Sequence, residues 1–422
     1  MSRFVVGIDL GTTNSALAYA DSREATPDAP PPIRTLAIPQ VVGVGEVGER
    51  PVLPSFLYLP GEKEFAPGAI DLPWSKKAER AVGLFAREHG AKVPGRLVAS
   101  AKSWLSHGGV DRRAAILPWA SAADVAKLSP VAASAAYLAH LRDAWNHTIA
   151  GKTADDRLER QDILLTVPAS FDPVARELTV EAVRQAGLEN VTLLEEPQAA
   201  FYAWLAAQGD AWRKRVKVGD RLLVCDVGGG TTDFTLIGVA EQDGDLTLSR
   251  EAVGEHILLG GDNMDLALAH AVAVTLPGGS MDALDPVQRI ALTYASRAAK
   301  ETLFSEPGKP SAPVAVLGRG SKVIGGAVKT ELKRELLSQV LLDGFFPRCA
   351  PTDQPTRGRR IGLTEIGLPY AADPAVTRHL ARFLSQQGGS LHAEGGIVRP
   401  AGVLFNGGVF KARPLRERVL EI

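Results

Sequence analysis

Apolar positions fall in short runs near the start, middle and end of the chain, and at helical spacing between them. Residues 4–10 (Phe-Val-Val-Gly-Ile-Asp-Leu) read as a buried strand that runs into Asp9-Leu-Gly11-Thr-Thr13, and a second apolar stretch, residues 15–20, follows at once. Strand, tight turn, strand is a hairpin, unlike the strand–turn–helix of a dinucleotide or Walker fold. Residues 21–35 are polar and proline-rich and predict a surface loop. Strand-like pieces follow around Val41 and at residues 55–59. Apolar residues spaced by three and four predict helices over 76–90, 131–150, 174–186 and 197–208. Asp172-Pro173 has the cap-then-proline order of a helix start, and residues 162–168 form a buried strand between two of these helices. The next strand, residues 221–227, runs into Gly228-Gly-Gly-Thr231-Thr-Asp233 and another strand, 234–239. Helices are predicted over 263–276, 286–304, 326–345 and 374–387, with an irregular basic segment at 347–360. A last strand, 402–405, leads into Asn406-Gly-Gly408.

The stretch at 221–239 repeats the order of residues 4–20: apolar strand ending in Asp, Gly, Thr-Thr, apolar strand. Such an internal duplication predicts two similar lobes, each offering one glycine-threonine turn to a shared cleft. The length of 422 residues fits one large two-lobed body or two to three domains. Charge is balanced, 47 basic against 48 acidic residues, which gives no reason to expect nucleic acid or an anionic membrane as partner. Two cysteines, Cys225 and Cys349, exclude a disulfide framework or a four-thiolate zinc site; Cys225 sits in an apolar run and reads as core. Asp9 interrupts any secretory hydrophobic region, and the longest weakly polar run, 128–141, is short and broken by His140. A cytoplasmic location is the expectation.

The chemistry follows from the repeated turns. Glycines let successive backbone N–H groups converge without a Cβ in the way, making an anion nest. Thr12, Thr13, Thr231 and Thr232 add hydroxyl donors beside them. An Asp at the strand end repels a phosphate unless a divalent cation, with its waters, lies between them. Two such turns facing each other would grip a polyphosphate and hold Mg²⁺ between Asp9 and Asp226. One turn alone reads as an ordinary hairpin; the repeat in the same order favours phosphate. Ala150-Gly-Lys-Thr153 resembles the end of a Walker motif, but Asn146 stands where its first glycine belongs, so a helix C-terminus with a solvated lysine is expected.

The ordered motifs resemble the DnaK-type, seventy-kilodalton heat-shock chaperones. Val6-Gly-Ile-Asp-Leu-Gly-Thr-Thr-Asn-Ser15 is similar to their first phosphate motif and residues 223–233 to their second. Leu165-Thr-Val-Pro-Ala-Ser-Phe171 with Glu196-Pro-Gln-Ala-Ala200 resembles their connecting segment, residues 259–265 their Gly-Gly-acid motif, and Leu404-Phe-Asn-Gly-Gly408 their adenosine motif. The resemblance implies an α/β, actin-like ATPase (duplicated ribonuclease H-like) fold of two lobes and four subdomains around a nucleotide cleft. Lobe one would span residues 1–212 with an upper insertion at about 53–120, and lobe two 213–422 with an upper insertion at about 259–347 and an incomplete end. It implies a slow ATPase whose lobe closure controls a substrate-binding region, with ATP or ADP, Mg²⁺ and K⁺ as candidate cofactors.

By the same resemblance Gly11, Thr12, Thr13, Gly228, Gly229, Gly230, Thr231 and Thr232 contact phosphates. Gly260, Gly261, Asp262, Lys300, Gly407 and Gly408 complete the nucleotide site. Asp9 and Asp226 hold the metal largely through water, Glu196 positions metal-bound water, and Asp233 acts near the terminal phosphate. Lys102 orients the attacking water, and Thr231 also serves hydrolysis. Taken alone, Lys102 reads as a solvated surface lysine. Pro168 and Arg176 match a proline switch and its arginine partner; the alternative is a proline ending a strand and an exposed helical arginine. The sequence departs from the family at the base pocket, where Arg297 and Glu301 reverse the expected charges, could pair with each other four apart, and Phe304 replaces a serine. Val409 replaces another serine, and Lys411 stands near the usual arginine. Thr192, Glu195 and Gln198 alter the surface where a J-protein docks, so a typical J-protein is not expected there. Implied partners are client polypeptide, bound through a C-terminal region outside this chain, with co-chaperones and an exchange factor. Either the chain is a fragment of a longer chaperone-like protein or the protein acts through the ATPase body alone; the break at residues 416–422, in a helical pattern, favours a fragment. The rival readings are a small-molecule kinase of the same superfold, for which no sugar-binding signature is present, and an actin-like scaffold or filament ATPase.

Overall fold

A computed structural model describes residues 2–27, 29–119, 121, 124–243, 245–316, 328–356, 368, 371–390 and 396–422. Residues 326–327 of one predicted helix and 357–360 of the predicted basic segment lie outside them. Contacts divide the chain into two compact units, Met1–Glu196 and Pro197–Ile422.

The first unit contains, in order, β1 (Phe4–Leu10), β2 (Asn14–Asp21), β3 (Arg34–Thr35), β4 (Ile38–Gly43), β5 (Glu46–Arg50), β6 (Leu53–Pro54), β7 (Leu57–Tyr58), β8 (Ala81–Val82), α1 (Leu84–Gly90), β9 (Leu97–Val98), α2 (Ala101–Leu105), α3 (Pro130–Trp145), β10 (Asp162–Val167), α4 (Pro173–Gln185) and β11 (Val191–Glu195). Its main sheet runs β11-β10-β1-β2-β3, with β6 also pairing β2. In β1 burial alternates strictly, so Phe4, Val6, Ile8 and Leu10 face the core. Helix α3 packs there: Trp145 meets Phe4 and Tyr19 edge-on, with ring centroids 5.2 and 5.0 Å apart. Both α3 and α4 start as their sequences dictate. Ser129 and Asp172 accept from the amides of Ala132 and Ala175, and a proline occupies the first turn of each.

The second unit contains most of α5 (Glu196–Gln208), then β12 (Arg221–Val227), β13 (Thr232–Gln242), β14 (Asp245–Val253), α6 (Gly261–Ala273), α7 (Pro286–Ser305), β15 (Ser311–Val316), β16 (Val328–Lys333), α8 (Arg334–Ser338), α9 (Val376–Ser390), β17 (Gly402–Asn406) and α10 (Arg413–Leu420). Its sheet runs β14-β13-β12-β17. Phe201, Val224 and Ile237 form a core that Trp204, Leu205 and Leu404 extend.

The duplication is present in the sheets. β1 is antiparallel to β2 and parallel to β10; β12 is antiparallel to β13 and parallel to β17. Three readings of local sequence need correction. The helix predicted over 76–90 begins only at Leu84. Ala81 and Val82 pair with Tyr58 and Leu57 instead, and Gly83 takes φ 96°, which no helix continues through. Within the helix predicted over 326–345, Val328–Lys333 is a strand, because β16 finds an antiparallel partner in β15; a short helix and a π-helical turn, Gln339–Phe345, follow. Finally, the two threonine pairs are not equivalent by register. Leu10 pairs Ser15 and Val227 pairs Thr232, leaving residues 11–14 and 228–231 as the turns. Thr12-Thr13 thus sit inside their turn, whereas Thr231 ends its turn and Thr232 opens a strand.

Candidate phosphate-binding site

In the first unit, candidate residues gather at the C-terminal ends of the parallel strands β1, β10 and β11, where α/β sheets present ligand sites. Asp9 lies beside Thr166 in the β1–β10 register, and the Thr166 hydroxyl donates to its Oδ1 at 2.8 Å. Gly11 is required by geometry: a Cβ there would run into the Asn14 carbonyl. Ser55 fastens the turn. Its hydroxyl donates to the Gly11 carbonyl at 2.8 Å, its amide to the Thr13 carbonyl at 2.9 Å, and it shares a hydrogen bond with Ser15. No described group accepts from the backbone amides of Gly11, Thr12 or Thr13.

Lys102 is on α2, only 8% exposed, so it is not a solvated surface lysine. Its ammonium pairs with the carboxylate of Glu196, the residue that follows β11. Two candidate catalytic side chains from distant segments therefore meet. Arg176 donates to the carbonyls of Phe171 and Ala169 at 3.2 Å each and to Glu195 at 3.1 Å. It thus clasps the loop after Pro168 to the end of β11, and is half-buried rather than exposed. Lys152 is exposed after a π-helical turn, Asn146–Ala150, as its sequence predicted.

In the second unit Asp226 is 5% exposed and accepts from the Asn406 amide at 2.8 Å. Asn406 occupies the β12–β17 register position that corresponds to Thr166 beside Asp9. Asp226 and Asp233 are directly opposed across β12 and β13, and both are buried. Like charges so placed repel unless a cation or proton accompanies them. These carboxylates fit Mg²⁺ held largely through water. No cluster of three or more His, Cys, Asp or Glu that could hold an ion directly occurs among the described residues, and Mg²⁺ commonly keeps several waters.

The amides of Gly229, Gly230 and Thr231 have no described acceptor, matching the three in the other turn. Their turn rests on the start of α6. The Gly261 and Asp262 amides donate to the carbonyls of Gly228 and Gly229 at 3.0 and 2.7 Å. A Cβ on Gly260 would lie 2.7 Å from both carbonyls. Thr232 is fully buried, and its hydroxyl donates to the Leu259 carbonyl at 2.7 Å. Gly407, at φ 87°, lets the residue 406–408 turn lie against the backbone of Val227. Cys225 is fully buried, and burial followed by Asp226 pushes its thiol up, in keeping with a core residue.

Of the two charge-reversed residues on α7, Arg297 turns to α6 and Glu301 is exposed. Arg297 pairs with Asp262 and with Asp265, rather than turning to Glu301 one turn along, and Lys300 pairs with Asp265 at 2.6 Å. Burial works against its charge, yet Lys300 and Arg297 hold the Asp265 carboxyl below the usual carboxylate range. Thr166 and Asn406 lie inside the motifs at 165–171 and 404–408, though the sequence assigns neither a site role, and Ser55 carries no sequence signal. Strand register brings the first two beside Asp9 and Asp226, and hydrogen bonds to Gly11 and Thr13 bring in Ser55.

Residues 73–345 match the profile of the family described as Hsp70 protein. The chain belongs to the Hsp70 family, and its fold class is the α/β, actin-like, two-lobed fold of that family's ATPase domain. Among curated proteins it is similar to a chaperone protein HscA homolog of Bordetella pertussis, 30% identical over 354 residues that cover 81% of this chain and 47% of that protein. It is similar to an HscA homolog of Pseudomonas aeruginosa, 31% identical over 318 residues, 72% of this chain and 42% of the relative. A chaperone protein HscA of an Enterobacter species is 30% identical over 272 residues, 63% and 37% of the two chains. The chain spans less than half the length of these relatives. It corresponds to a DnaK-like nucleotide-binding domain, and the kinase and filament readings are not favoured. Members of the family are chaperone ATPases that use ATP or ADP with Mg²⁺. No helix among the described residues is long and apolar enough to cross a membrane.

Proposed function

We propose that the chain binds ATP with Mg²⁺ and hydrolyses it slowly, as the nucleotide-controlled part of a cytoplasmic chaperone. The observation that carries this reading is the pair of four-residue turns, each after a strand-end Asp region and each with three successive amides that no described group uses. Such amides, with Thr12, Thr13 and Thr231 beside them, suit phosphate oxygens. Asp9, Asp226 and Asp233 suit the metal and its waters, with K⁺ a further candidate. Magnesium would neutralise the phosphate charge. Phosphoryl transfer asks the protein chiefly for an in-line water and a compensated charge. Lys102, already paired with Glu196, supplies a charged donor for that water, and Glu196 orients it.

Gly260, Gly261, Asp262, Lys300, Gly407 and Gly408 are assigned to the rest of the nucleotide site, Asp262 and Lys300 acting through the α6–α7 contact. Pro168 and Arg176 couple nucleotide state to partner surfaces, since Arg176 joins the loop after Pro168 to Glu195. Client polypeptide, co-chaperones and an exchange factor are the partners on this reading, and lobes near 1–212 and 213–422 the moving parts. Calorimetry with Mg²⁺ and ADP tests it: saturable heat is expected, and none with any purine nucleotide would sink it.

A further inference from the structure

Four charged side chains gather at the start of α6. Arg297 donates from Nε to Asp265 at 2.5 Å and pairs through its other end with Asp262. Lys300, one turn along α7, pairs with Asp265 at 2.6 Å. Asp262 and Asp265 are 6% and 0% exposed and the Arg297 and Lys300 side chains 13% each, so two positive and two negative charges balance largely out of water. Burying such a group is costly, and what it provides is one defined geometry.

The geometry it fixes is that of the phosphate turn. Asp262 is held twice, by its carboxylate to α7 and by its amide to the Gly229 carbonyl at 2.7 Å. Gly261 holds the Gly228 carbonyl at 3.0 Å in the same way. Each carbonyl shares a planar trans peptide with the next amide, so the two point in opposite directions. Anchoring the carbonyls of Gly228 and Gly229 on α6 therefore aims the amides of Gly229 and Gly230 away from it. Those are two of the three amides that no described group uses.

We propose that Arg297 is a positioning residue for phosphate binding: by locking Asp262 and Asp265 it fixes the first turn of α6, which orients the Gly229 and Gly230 amides. The inference rests on reading residues 228–231 as a phosphate cradle. A guanidinium suits the task because its planar fork spans two carboxylates, which a lysine ammonium cannot do with the same geometry.

The test uses the whole chain with Arg297→Met, Arg297→Lys and Asp262→Asn. Affinity for inorganic tripolyphosphate and for ADP with Mg²⁺ is measured by calorimetry, and amide exchange at residues 260–263 by mass spectrometry. Arg297→Met should weaken both ligands on the order of tenfold and speed exchange at Gly261 and Asp262. Arg297→Lys should recover part of each. A folded Arg297→Met protein with unchanged affinity and unchanged exchange overturns the proposal. Should that variant fail to fold, Asp262→Asn keeps the main-chain amide and nearly the same shape, and the same two readings decide. If the parent protein binds neither ligand, the cradle reading fails, whereas exchange at Gly261 and Asp262 still reports whether Arg297 holds the turn.

Discussion

Lys102 and His140 show what two buried titratable side chains do in this protein. Lys102 sits against Glu196 with little access to water, so its charge is held in place. Lys102→Ala should abolish turnover while sparing ADP binding, which single-turnover hydrolysis and calorimetry separate; retained hydrolysis would remove the lysine from the mechanism. His140 is different in kind. Its Nε2 donates to the Pro39 carbonyl at 2.9 Å, and burial pushes its pKa down to about 4. The unfolded chain takes up this proton near the ordinary value of 6.5, the folded chain only near 4. The stability tied to His140 is therefore full above about pH 6.5 and falls as pH drops through that window. Urea midpoints should show about 2 kcal/mol lost by pH 5, and His140→Gln should remove that part of the pH dependence.

At the scale of elements, the decisive contact joins the β12–β13 turn to the first turn of α6. Its closeness depends on Gly260, where any side chain would meet two carbonyls at 2.7 Å. Neither carbonyl belongs to a flexible side chain, so the backbone itself must move. Gly260→Ala should cost roughly 1–3 kcal/mol by thermal or urea unfolding and should weaken nucleotide binding more than Gly7→Ala. At Gly7 a Cβ meets only one carbonyl, at an ordinary 4.0 Å. Equal losses at the two positions would count against the α6 contact as the support of the turn. The equivalent support in the first unit comes from a side chain, Ser55, not from a helix. The two turns have equal length but are held by different means.

For the whole molecule, the proposed readout is nucleotide-dependent closure. Contacts made to a terminal phosphate exist with ATP and not with ADP, so a ligand that makes them shifts the population by its differential affinity. Small-angle scattering should show a smaller radius of gyration with ATP and Mg²⁺ than with ADP. Thr231→Ala should slow hydrolysis and reduce that difference. An identical scattering profile in both nucleotides would refute closure as the output while leaving binding untouched.

Local sequence determined much of this protein. The strand hairpins, the Asp172 and Ser129 caps, the repeated turns and the order of the family motifs all rest on neighbours along the chain. Alternation, capping and glycine turns are set by residues within a few positions of each other. Tertiary structure decided the rest, for a physical reason that recurs at each point. Residues 328–333 became a strand because β15 offered an edge, and residues 81–82 did so because β7 offered another. The turn threonines lost their apparent equivalence through strand register. Arg297 turned inward because Asp262 and Asp265, more than thirty residues away, supplied the charge that burial demands. Ser55, Thr166 and Asn406 joined the candidate site only when the tertiary fold laid them beside Gly11, Asp9 and Asp226.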